Sequence, residues 1–271
     1  HLEVGGEQGE VELREPERVQ FLLRGADIAE ATGRLDEAFD LVTLALEAHM
    51  NTIRDAAGVP LLERLDRLAR TPRQAAVAAN QRAWYCTNLG DPPGAIAAGE
   101  LAMQRCAQVA DAALAASIAQ RLGTALAMAG RFDEALPHLR SAEPWFERHA
   151  QSDHAAEFVG NLATVLDNLG HPAEALPYHQ RAIEATVALG DRSFIATVRA
   201  NLAVSRLNAG DVSGARQQLA LAQQLISGGD LKGSSAGFIA ALQAQAERAD
   251  GDYPAALAWC DAAEPLLAAA S

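Results

Sequence analysis

The stretch NLGHPAEALPYHQRAIE, residues 168–184, decides the fold. It reads as the end of one helix, a glycine turn and a second helix. Glycine alone takes a left-handed backbone without strain, so Gly170 marks the stop. Pro177 lies seven residues past that glycine, inside the second helix. The first four NH groups of a helix lack intrahelical partners, so a proline at the edge of that zone costs little and bends the helix slightly. Small residues punctuate the stretch at Gly170, Ala175 and Ala182.

The same punctuation recurs along the chain. Gly90, Gly130, Gly170 and Gly210 are 40 residues apart; Gly251 lies 41 after Gly210, and Gly33 lies 57 before Gly90. Five residues after each glycine stands an alanine: Ala38, Ala95, Ala135, Ala175, Ala215, Ala256. Twelve residues after it stands another: Ala45, Ala102, Ala142, Ala182, Ala222, Ala263. Seven residues before it the residue is always small: Ala26, Ala83, Gly123, Ala163, Ala203, Ala244. Each unit therefore predicts a helical hairpin whose two backbones approach at small residues, with the later alanine two turns along the same face to meet the next hairpin. A lone hairpin cannot bury its own apolar face, so the units stack.

This pattern resembles the tetratricopeptide repeat over about residues 18–271. The family's early Trp is absent from every unit, replaced by Leu22, Ala79, Ala119, Val159, Arg199 and Ala240, and its first-helix Gly survives only as Gly123. The 40-residue period exceeds the usual 34 and implies longer second helices. Asn161-Leu162-Ala163 and Glu174-Ala175-Leu176-Pro177 look like the kinesin light-chain variety. The resemblance implies an all-α fold: a right-handed α-α superhelix of six hairpins. Seventeen extra residues separate the first two units, and PLLERLDRLAR, residues 60–70, predicts an added amphipathic helix between them, started by Pro60 and closed before Pro72. Residues 1–15 are expected to be a linker or domain edge, and 16–271 a single array. A first residue of His rather than Met, and a last unit without a polar cap, suggest a fragment of a longer protein.

Aromatic residues make up only 5% and hydrophobic residues 49%, which suits helices packed through small side chains. A net charge of −13 argues against nucleic-acid or anionic-membrane binding, which need a basic footprint. Cys86, Cys106 and Cys260 have no metal or redox spacing, and no apolar run approaches a membrane span, so a reduced, cytoplasmic protein is expected. Cys86 and Cys260 fall on packing faces and read as core cysteines. Trp145 and Trp259 read as plugs between helices.

In the resembled family the first helices line a concave groove. Nine residues before each turn glycine stand Arg24, Gln81, Arg121, Asn161, Asn201 and Leu242, polar in five of six, with Asn80 beside Gln81. The same face carries Trp84, Thr124 and Thr164, and near the helix ends Asn88, Asn168 and Asn208. Amides suit a peptide backbone, arginines its carboxylates, and Trp84 a flat apolar anchor. The competing reading is a solvated helix face with asparagines ending the helices.

Other motifs dissolve on inspection. GSSAG, residues 233–237, matches G-x-S-x-G with Ser235 as the nucleophile, but that motif needs a strand before it and reads here as a loop. Lys232 precedes Gly233, the wrong order for a phosphate loop, so the segment reads as a flexible connector. His149, Asp153 and His154 match no strong metal-ligand spacing and read as solvated. No cofactor is implied.

The sequence thus points to a non-catalytic module that binds a protein, a peptide or an adjoining domain. Arrays of this kind, in Ala- and Arg-rich, lysine-poor chains, resemble C-terminal regions of bacterial transcriptional activators and signalling ATPases, which implies a regulatory or sensor arm. The alternatives are a free-standing adaptor or scaffold and, remotely, a serine hydrolase.

Overall fold

The computed structural model describes residues 15–52, 55–149, 154–190, 192–226 and 233–268. Among them lie thirteen α-helices and no strand. Twelve form consecutive pairs: α1 (Glu15–Ala31) and α2 (Leu35–Thr52), α4 (Pro72–Asn88) and α5 (Pro92–Cys106), α6 (Ala112–Met128) and α7 (Phe132–Arg148), α8 (Ala155–Asn168) and α9 (Pro172–Leu189), α10 (Arg192–Asn208) and α11 (Val212–Ile226), α12 (Gly233–Asp250) and α13 (Tyr253–Ala268). The extra helix is α3 (Val59–Leu68), after a 3-10 turn at Ala56–Gly58. The expected linker at 1–15 lies outside the described residues, save Glu15, which already opens α1.

All six turn glycines take φ between 70° and 85°. Each turn is closed by two bonds. In the fourth pair the Gly170 NH donates to the Asp167 carbonyl and the His171 NH reaches back to Leu166, which satisfies carbonyls the helix end would leave open. The following residue often starts the next helix: the carboxylates of Asp91, Asp211 and Asp252 accept from the backbone NH of Gly94, Gly214 and Ala255. Gly190 (φ 74) ends α9 in the same left-handed form, a stop the 40-residue period does not reveal.

The small-residue positions are buried. The alanines five and twelve residues after each turn are fully inaccessible in the first five pairs, and 8% and 4% exposed in the last, at Ala256 and Ala263. The second helices span 15–18 residues and the first 14–18. Pro137 and Pro177 lie inside α7 and α9, beyond the zone of spare NH groups, so each removes one ladder bond. The residues four back, Asp133 and Ala173, are exposed, which leaves those carbonyls to solvent.

The chain divides into two compact units, up to Ala125 and from Leu126. In the first unit, α3 drives Leu62, Leu65 and Leu68 into a core with Ala26, Val42, Leu46 and Tyr85, as its amphipathic pattern predicts. The Tyr85 hydroxyl donates to the Asp55 carbonyl at 2.6 Å. In the second unit, α10 and α11 bury Ala200, Ala203, Leu219 and Ala222 against Ile239, Leu242 and Ala246 of α12.

The GSSAG segment corrects the sequence reading: it is the first part of α12, not a loop or connector. The physical reason lies at Gly237, where a Cβ would stand 2.8 Å from Leu267 and 3.2 Å from Leu266. Glycine is there to let α12 and α13 touch.

Two expectations follow. Gly170→Ala should lower stability by about 1–2 kcal/mol through left-handed strain, whereas Gly160→Ala, in mid-helix with nothing within 4 Å of its Cβ position, should raise it by about 0.5–1 kcal/mol; chemical denaturation of both reads the contrast. Asp111 caps α6 through the Leu114 NH at 3.0 Å and pairs with Arg73 at 2.9 Å, and these hold its carboxyl below the ordinary carboxylate range. A depressed carboxylate stabilises the fold above its unfolded value and loses that contribution as pH falls through its folded one. Asp111→Asn should therefore be less stable than wild type near neutrality, with the gap closing under acid in denaturation curves run across pH.

Candidate peptide-binding face

In the first unit, α4 and α6 gather Asn80, Gln81, Trp84 and Arg121 into one network. The Gln81 amide donates to Glu47 Oε1 on α2 at 2.7 Å, and its oxygen accepts from Arg121 at 3.2 Å. Arg121 also donates to the Asn80 carbonyl at 3.0 Å. Its guanidinium lies 5.5 Å from the centre of the Trp84 ring, a cation–π contact worth about 0.5–2 kcal/mol. Asn80 Nδ2 donates to Ser117 Oγ at 3.1 Å, but Asn80 Oδ1 is buried with no donor. An unmatched acceptor of this kind costs about 1–3 kcal/mol. The cluster therefore presents a half-buried indole and a guanidinium, with the unmatched Asn80 oxygen sealed beneath the surface.

The remaining predicted residues of that unit stand apart. Asn88 donates to the Trp84 carbonyl at 2.9 Å and Thr124 to the Gln120 carbonyl at 2.9 Å, so both spend a donor on their own helix. Arg24 is exposed on α1. In the second unit, Thr164 donates to the Gly160 carbonyl at 2.9 Å and Asn168 to the Thr164 carbonyl at 2.8 Å, along α8 itself. Asn161 and Asn201 are half-buried, and Asn208 is exposed at the end of α10.

Sequence reasoning missed one pair. His179 is fully buried, and its Nε2 lies 2.7 Å from Asp167 Oδ2. The second nitrogen of His179 and the second oxygen of Asp167 are buried without partners. Nine residues after the other turn glycines stand Val42, Gly99, Leu139, Leu219 and Cys260, so His179 occupies a position the repeat otherwise gives to apolar or small residues. That comparison of registers was the available signal. Cys260 itself corrects the sequence reading. It is exposed, not core, because no hairpin among the described residues covers the last one.

Burial pushes the Cys86 and Cys106 thiols up, away from the reactive thiolate. His149 Nδ1 lies 2.8 Å from the Trp145 carbonyl, and its ring stacks on Trp145 at 4.3 Å. Trp145 also meets Phe146 edge-on at 4.9 Å, and Trp259 is half-buried. His154 is exposed, and Asp153 lies outside the described residues. Among the described residues no group of His, Cys, Asp and Glu is arranged to hold a metal ion, and no helix is long and apolar enough to cross a membrane.

A family model described as Tetratricopeptide repeat matches residues 159–191, most of α8 and all of α9. Among solved structures, BtubC (BKLC) from P. vanneervenii is 19% identical, with 95% of this chain and 92% of that chain covered and a TM-score of 0.60. A Rap protein complexed with Competence and Sporulation Factor is 14% identical, with 94% and 75% covered and a TM-score of 0.68. The apo form of RapI is 13% identical, with 92% and 76% covered and a TM-score of 0.59. No curated protein sequence matches the chain. At these identities the likeness fixes the fold.

The buried pair invites a mutant cycle. Removing one partner strands the other, so His179→Leu and Asp167→Leu should each cost about 3–5 kcal/mol, while the double variant should be neutral or gain about 1–4 kcal/mol. Denaturant unfolding of the four proteins measures it.

Proposed function

We propose that this array of tetratricopeptide repeats is a non-catalytic interaction module that holds an extended peptide segment of a partner protein along its first helices. The observation that carries the reading is the α4–α6 network: a guanidinium on a half-buried indole. An apolar side chain of a peptide fits the indole, and a peptide carboxylate suits the guanidinium. In the second unit, Asn161 and Asn201 stand at the register of Gln81 and Arg121, and Asn208 at that of Asn88, as candidate amide contacts of that unit's own first helices. The acidic net charge of −13 gives no footprint for nucleic acid, and none is part of the proposal.

We further propose that the module is the regulatory arm of a larger bacterial transcriptional regulator, acting in the cytoplasm. Its support is the lysine-poor composition, with Lys232 the single lysine, and the shared fold of a Rap protein whose structure is a complex with Competence and Sporulation Factor.

Peptides selected from a displayed random library on the whole chain test the reading, with affinities measured by calorimetry. Trp84→Ala and Arg121→Ala should each weaken binding tenfold or more while circular dichroism stays unchanged. Selected peptides that bind these variants and Asn161→Ala/Asn201→Ala as tightly as wild type would place the site off this face.

A further inference from the structure

We draw no further inference here: the strongest candidate, the buried pair of His179 and Asp167 between α8 and α9, whose second nitrogen and second oxygen are without partners, carries nothing, because among the described residues no third ligating side chain stands with it and nothing in the structure shows what would meet those two atoms.

Discussion

Two helices can run close together only where neither carries more than a methyl group at the crossing. Nearly every regularity in this chain descends from that constraint. The alanines five and twelve residues after each turn leave no accessible surface in five of the six pairs. A larger side chain there would force the helices apart at about 1–3 kcal/mol. The glycine turns serve the same end, because a left-handed residue reverses the chain within the span of one crossing. With so much of the interface given to alanine, each pair buries little apolar area of its own. Stability must then come from neighbours, and Leu219 and Leu242 supply it across the seam between α11 and α12.

The same constraint explains which parts of the fold were legible. Spacing and small size are written in the sequence, so the six turns, the alanine contacts and the extra helix at Pro60 could be read directly. Exposure is not written there. Cys260 stands at the register of Leu219, yet one is exposed and the other buried, because burial is a property of the next hairpin. The GSSAG segment misled for a related reason. Its glycines and serines suggest a loop, but Gly237 is small because Leu266 and Leu267 press against it.

The candidate face was legible by position and not by partner. Gln81 and Arg121 stood out as polar residues in an apolar neighbourhood, but Glu47 lies on a different hairpin, and no local pattern links it to Gln81. The asparagines near the helix ends divided further: Asn88 and Asn168 turn back to carbonyls of their own helices, as helix-ending residues do. His179 and Asp167 escaped because they break the repeat only once, and a single exception carries no period. Two of their polar atoms stay unmatched in the core, so the pair spends stability that an aliphatic residue at this register would supply.

The position nine residues before each turn ties packing to recognition. In α12 it is Leu242, which is buried and closes the seam against α11. In α4 it is Gln81, equally buried, whose two ends are held by Glu47 and Arg121 from the flanking helices α2 and α6. A polar residue at this position therefore acts as a seam contact first. Where the position has no flanking polar partner its residue must be apolar, as Leu242 is, because a buried polar group left unmatched costs stability.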